Sequence, residues 1–287
     1  MKRIVVAIPA VALALSAVPF NVLAEGTVPP VAQVNATVSA DTPALAALPP
    51  NIPDNPLGGY VDIGVNESMG TNYGTVGTNN AWLADNRGTV NTNKGSVDVN
   101  NGTVKSNTSM ATVSDNRMVV ENNDAIIVDN NHTVVTNEQA GWITNNNSFV
   151  TTNRGDIQSN NAGAQVNMNT GWVKTNDGTV SLNENLVTTN NGAVNKNNSK
   201  VETNAGTVTT NTGTVTTNKG TVASNEKTVT DNAVGGTVAD NKATVKENNG
   251  TVTANNGTVE TNKGTVRTNE NTFTRNAAGG TVGNNKA

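Results

Sequence analysis

The chain has no cysteine, one histidine, three Trp, three Phe and two Tyr in 287 residues, and no proline after Pro56. Without cysteine no disulfide can staple the fold, and thiolate nucleophiles and cysteine-ligated zinc are excluded. One histidine cannot assemble a metal centre or an imidazole relay, so neither catalysis nor a cofactor is expected. His132 itself stands where a repeat unit usually has glycine and reads as an exposed corner residue. A formal net charge of -4 leaves no basic footprint for nucleic acid. Proline removes a backbone donor that a sheet needs, so its disappearance after Pro56 marks where continuous hydrogen bonding begins.

The N-terminus carries Lys2 and Arg3, an apolar run from Ile4 to Phe20, and Val22-Leu23-Ala24. This reads as a secretory signal, residues 1–24, cleaved after Ala24, and the short basic stretch looks bacterial. Pro9 and Pro19 interrupt the run and no second span follows, so the mature chain is expected to lack a membrane span. Residues 25–58, with Pro29-Pro30, Pro43, Pro49-Pro50, Pro53 and Pro56 among Ala, Val and Thr, read as an extended arm. It is either a flexible spacer or a segment that docks on a partner or neighbouring subunit.

What is present is a period. Thirty-one times between Ile63 and Val282 an apolar residue is followed three positions later by asparagine. From Asn72 to Asn285 the asparagines are separated by 29 intervals, 24 of seven residues and five of nine. The fullest unit is Gly213-Thr214-Val215-Thr216-Thr217-Asn218-Lys219. Such regularity marks a repeat architecture in which each unit buries its apolar side only against its neighbours. A coiled coil is excluded, because each unit has one apolar position where a heptad has two and is filled with poor helix formers. Thr-Val favours strand, while Gly and Asn tolerate the left-handed backbone of tight corners. Residues 59–287 are therefore predicted to form an all-β solenoid (β-roll) of short strands with inward valines. Stacked asparagines, among them Asn204, Asn211, Asn218, Asn225, Asn232 and Asn241, should form amide ladders that satisfy the corner backbone.

An internal duplication limits the number of units per turn. Residues 206–243 and 250–287 match at 27 of 38 positions with an offset of 44, which is six units. Whole turns then require two or three units. Trp82, Trp142 and Trp172 all fall in even-numbered units, which favours two and a flat 14-residue coil. At ~4.8 Å per coil the rod is about 70 Å long with two units per turn and about 50 Å with three.

Asp85-Asn86, Asp115-Asn116, Asp129-Asn130 and Asp240-Asn241 are read as exchange of Thr for Asp in one column, since the glycine-aspartate nonapeptide of calcium-binding rolls is absent. The outward residues carry more information. Thr207, Thr209, Thr214, Thr216, Thr228, Thr230, Thr251 and Thr253 form Thr-x-Thr pairs. Trp82, Ile126, Trp142, Phe149, Trp172 and Leu186 replace the outward Thr and predict an apolar, aromatic strip, covered by the arm or a long corner, or open to another protein or a glycan.

On these residues the chain resembles the seven-residue-repeat ice-binding β-rolls of grasses, over most of residues 69–287. Their unit places Asn before Val and Gly after it; here the order is reversed. The resemblance implies a 14-residue coil with inward Val and Asn ladders, and ice binding as an activity. Lys105, Lys174, Glu202, Lys246, Glu260 and Arg267 are expected to break the flat outward column that ice binding needs. In composition the chain is also similar to repeat-rich bacterial β-solenoid surface adhesins and matrix fibres. The expected function is that of a secreted, non-enzymatic structural or adhesive solenoid of the cell surface or biofilm matrix. Its expected partners are further copies of itself, a surface glycan or another matrix protein. The phase shared by Asn285-Lys286-Ala287 and Asn241-Lys242-Ala243 makes the last coil look like an interior one, which predicts end-to-end, amyloid-like fibrils.

Overall fold

The computed structural model describes residues 53–286, apart from Asn66 and Ser109. The signal sequence and most of the arm lie outside the described residues. Thirty-one strands of four or five residues follow one another from Tyr60–Ile63 to Thr281–Asn285, and no helix occurs among the described residues. Odd-numbered strands build a sixteen-stranded sheet and even-numbered strands a fifteen-stranded one. Each strand pairs in parallel with the strand two units away, as in Thr214↔Thr228, Val215↔Val229 and Asn218↔Asn232. Two units thus make one turn, and the solenoid has about sixteen turns. The even numbering of the three tryptophans follows from this: all lie in the fifteen-stranded sheet.

Strict alternation would send the second and fourth residues of a strand inward. The buried residues are instead the second and the fifth, with the first, third and fourth wholly or partly exposed in most strands. The chain leaves the sheet plane at the fourth residue and the asparagine folds back inside. Every second-position residue from Val76 to Val266 is fully or almost fully buried, and together they form one continuous column of core. Full burial of each such side chain stabilises by about 1.5–3 kcal/mol, so the stability of the rod is distributed rather than concentrated in a centre.

The asparagines form two columns. Asn204, Asn218 and Asn232 stack in one; Asn211, Asn225 and Asn241 stack in the other. Asn204 is representative. Its Nδ2 donates to Asn218 Oδ1 at 2.8 Å and to the Thr221 carbonyl at 3.1 Å. Its own carbonyl accepts the backbone N–H groups of Lys219 at 2.7 Å and Gly220 at 3.0 Å. One buried side chain therefore satisfies the corner backbone of the next coil, which no apolar residue could do. The side-chain amides donate toward the C-terminus throughout, so each column has a polarity.

The glycines serve a purpose other than the expected left-handed backbone. Among the described residues no glycine of a two-residue corner has a positive φ; the glycines that do are Gly58, Gly163, Gly235 and Gly279. The corner glycines are needed for close approach. A Cβ on Gly220 would lie 2.1 Å from the Gly206 carbonyl oxygen of the preceding coil. Where a side chain does occupy this place the stack gives slightly. The hydrogen bond beyond glycine is 2.9 Å from Thr221 N to Gly206 O and 2.8 Å from Ala193 N to Gly178 O. Beyond Met118 and Asn185 it lengthens, to 3.2 Å from Val119 to Gly102 and 3.4 Å from Leu186 to Gly171.

The five nine-residue units insert a β-turn. Gly163, Gly235 and Gly279 adopt φ of 84°, 86° and 87°, and the turns close with bonds such as Gly236 N to Ala233 O at 2.9 Å. These turns occur on both sides of the solenoid, which is why their positions share no phase. The same turn appears at Pro56–Gly59, closed at 2.9 Å. Residues 53–58, read above as the end of the arm, thus belong to the stack: Asn55 is buried and donates to Asn72 Oδ1 at 2.7 Å. The first unit also departs from the repeat. Ile63 pairs with Asn79 rather than with a valine, so an apolar residue stands at the foot of that column.

Candidate interaction surface

The first and third residues of each strand face outward, so each sheet presents two parallel columns to its surroundings. The coil spacing of ~4.8 Å sets the pitch of these columns. Which residues become neighbours depends on every nine-residue corner in between.

Five of the six residues expected to form an apolar strip lie in the first-position column of the fifteen-stranded sheet: Trp82, Ile126, Trp142, Trp172 and Leu186. Phe149 does not join them. It pairs with Thr133 and Gln165 on the opposite sheet, because its unit is odd-numbered. Trp82 is separated from Ile126 by Ser96 and Thr112. The compact part of the strip is therefore Ile126, Trp142, Asp156, Trp172 and Leu186 on five successive strands. Asp156, which the sequence reading did not single out, stands between two tryptophans. Counting the 14 residues from Trp142 to Asp156 and the 16 from Asp156 to Trp172 would have found it, given the two-unit turn.

Two of the indoles are tied to the neighbouring strand by their N–H groups. Trp82 Nε1 donates to Asp98 Oδ2 at 2.8 Å and Trp172 Nε1 to Thr188 Oγ1 at 2.7 Å, both on the next strand of the same face. Both side chains are half-buried. Trp142 is the most exposed of the three, at 36%, and its N–H has no partner among the described residues. The Asp156 carboxylate forms no ion pair or side-chain hydrogen bond among the described residues. Burial raises its pKa above the ordinary carboxylate value. Glu247 behaves oppositely: hydrogen bonds from Lys263 and Asn249, with the Lys263 charge, lower its pKa.

The eight threonines expected to form rows divide between the two faces. Thr214, Thr216, Thr228 and Thr230 make a two-strand patch on the fifteen-stranded sheet. Thr207, Thr209, Thr251 and Thr253 lie on the sixteen-stranded sheet, separated by strands carrying Thr221 with Ala223 and Thr237 with Ala239.

The charged residues expected to break one outward column also divide, and unequally. Lys174, Glu202, Lys246 and Glu260 all stand on the fifteen-stranded sheet. Lys105 and Arg267 lie toward the two ends of the other. Between the strands Thr133–Asn137 and Thr251–Asn255, the sixteen-stranded sheet carries no charged residue at a first or third position over nine strands. That expectation is corrected: one face is interrupted by charge along much of its length, and the other, at its first and third positions, only outside this nine-strand run.

His132 is an exposed corner residue. Asp85, Asp115, Asp129 and Asp240 share the fourth strand position. Asp85 and Asp115 pair with Arg87 and Arg117, and Asp129 accepts from Asn145. Among the described residues no three His, Cys, Asp or Glu side chains gather as metal ligands. Shallow hollows of about 170 Å³ and 330 Å³ lie beside Phe149 and Gln165 and beside Thr272 and Phe273. No protein-family model, curated protein or solved structure matches the chain.

Proposed function

We propose that this protein is an exported, non-enzymatic rod that works by presenting its two faces: a structural or adhesive element of the cell surface or extracellular matrix. One observation carries the reading. The described chain is a single uninterrupted stack whose outward columns run for its whole length, ~70 Å at the coil spacing. Every strand spends its inward residues on the stack, which leaves the first and third positions for recognition. The N-terminal signal read in the sequence supplies the route of export.

The polarity of the amide columns supports head-to-tail association. A copy added in the same sense continues the column that begins at Asn55 donor to acceptor, the other column beginning at Ile63, whereas an inverted copy sets donor against donor or acceptor against acceptor. Asn55 Oδ1, at the N-terminal foot of one column, is a buried acceptor with no partner. The test is deletion of the gene from its own host, with attachment and matrix formation as readouts. Electron microscopy and fibre diffraction of the purified chain test the filament part. Unchanged attachment and matrix, or substrate turnover by the purified chain, overturns the reading. A chain that remains monomeric at high concentration removes head-to-tail assembly.

A second reading, ice binding, is favoured by the uncharged nine-strand run on the sixteen-stranded sheet. In its last four strands, Thr207–Asn211 to Thr251–Asn255, the first and third positions hold only Thr and Ala at the coil pitch, side chains that hold no strongly ordered hydration shell of their own. Thermal hysteresis in micromolar protein, abolished by Thr209→Lys, would establish this reading; its absence removes it.

A further inference from the structure

We propose that Trp142, Asp156 and Trp172 form a platform for a neutral, unbranched glycan laid along the solenoid axis. The proposal deepens the adhesive reading and rests on it for its biological setting. The two indoles flank Asp156 on adjacent strands of one column. They are two coils apart, ~10 Å, which is about the span of two linked pyranose rings. A pyranose offers a flat array of C–H groups on each face and hydroxyls around its rim. It therefore matches partly exposed indoles and a carboxylate that only accepts hydrogen bonds.

Three features favour a sugar over a protein. First, the Trp172 N–H is tied to Thr188, so the part of that indole left exposed is apolar. Second, the column is interrupted by a carboxylate at its centre, whereas the cores of protein interfaces are depleted in Asp. The platform is flanked in the third-position column by Thr144, Gln158, Lys174 and Thr188, which supply donors and acceptors for hydroxyls. Third, the Asp156 carboxylate and the Trp142 N–H are both unpartnered among the described residues. The carboxylate accepts from hydroxyls and the N–H donates to a hydroxyl or ring oxygen. The proline-rich arm is a poor occupant by charge. Residues 25–52 contain Glu25 and Asp41 and no Lys or Arg, so nothing in them complements Asp156.

The experiment uses the mature chain, residues 25–287, with a panel of neutral hexasaccharides that includes cellohexaose, chitohexaose and laminarihexaose, followed by tryptophan fluorescence and calorimetry. At least one should bind and perturb indole emission. Trp142→Ala and Trp172→Ala should each weaken binding about tenfold or more, as removal of a central aromatic anchor does. Asp156→Ala should weaken it by a smaller factor, and Thr207→Ala on the opposite sheet should leave it unchanged. These positions face outward, so unaltered thermal unfolding verifies the fold. Trp142→Tyr with Trp172→Tyr should keep part of the affinity. No binding across the panel, or binding indifferent to the double alanine variant, overturns the proposal. So does fluorescence perturbation by a tetralysine peptide alone, which would assign the site to a cationic partner, or by a 25–52 peptide alone, which would assign it to the arm. Loss of the glycan proposal with host attachment still dependent on the protein leaves the adhesive reading standing; loss of attachment dependence with glycan binding intact does the reverse.

Discussion

The two sheets have the same interior and opposite exteriors. Both place a buried apolar residue second and a buried asparagine fifth, and both pair in parallel register. Outside, the fifteen-stranded sheet carries the tryptophans, Asp156 and five charged residues in its third-position column, Asp98, Lys174, Glu202, Lys246 and Glu260, while the sixteen-stranded sheet has nine consecutive strands with no charge at the first or third position. The inward and corner positions are under one constraint, close stacking of identical coils, and cannot differ between sheets without breaking the stack. The outward first and third positions are free of it. Divergence there is the part of the sequence that bears on function.

The equivalence of the interiors can be broken most severely in the amide columns. Asn218→Asp on one column and Asn211→Asp on the other should each cost about 3 kcal/mol or more at neutral pH, measured by chemical unfolding. At position 218 the change removes the donors to Asn232 Oδ1 and the Thr237 carbonyl and buries a charge against them. Such a carboxylate has a folded pKa raised above its unfolded value of ~3.9. The lost stability should therefore return as pH falls below that value, and the penalty should grow as pH rises through the folded pKa. Unequal penalties in the two columns would refute their equivalence.

A smaller effect is expected at the corners. Gly213→Val and Gly220→Val, on opposite sides of the solenoid, each set a Cβ against a carbonyl oxygen of the coil below, at 2.0 and 2.1 Å before relaxation. Because Met118 and Asn185 are accommodated in this place by a lengthened bond, each change should cost about 1–3 kcal/mol rather than abolish folding.

Smaller still are changes outside. Thr209→Lys and Thr216→Lys, one on each sheet, should alter stability by within about 0.5 kcal/mol. Their functional effects should differ: only the first should interfere with any activity of the uncharged face. If both act alike, the contrast between faces has no functional meaning.

The smallest expected signal is a titration. In carbon-detected NMR, Asp156 should titrate above the ordinary carboxylate range and Glu247 below it. The raised pKa of Asp156 favours folding when the group is protonated, and that contribution disappears as pH rises through the folded value. Glu247 contributes above its unfolded value and loses the contribution as pH falls through its lowered one. Trp142→Ala with Trp172→Ala should bring Asp156 back toward the ordinary value, since desolvation is its cause.

The architecture was legible because its contacts are local in the repeat. Each coil touches the next, so the period of Val215, Asn218 and their equivalents already states which residues are inside, and the even numbering of Trp82, Trp142 and Trp172 already pointed to two units per turn. The role of the glycines was misread for a physical reason. Composition does not separate a backbone that needs a left-handed residue, as at Gly235, from one that needs room for a carbonyl, as at Gly220. At the foot of the stack Ile63 was misread as an ordinary apolar position because Asn66 follows three residues later, whereas Val61 takes the valine register and Ile63 the asparagine one; Asn55 lies outside the periodic pattern.

By itself the sequence determined a parallel all-β solenoid with valine inside and asparagine amides stacked beneath the corners, since a seven-residue unit with one apolar position can bury it in no other way than against copies of itself. Only the tertiary structure decided which outward residues share a face. Neighbours on a face are 14 residues apart across short corners and 16 where a β-turn is inserted, so a chain-order list of outward residues mixes two surfaces. Stacking then placed Phe149 opposite the tryptophans, set Asp156 between two of them, and left nine successive strands of the other sheet with no charge at the first or third position.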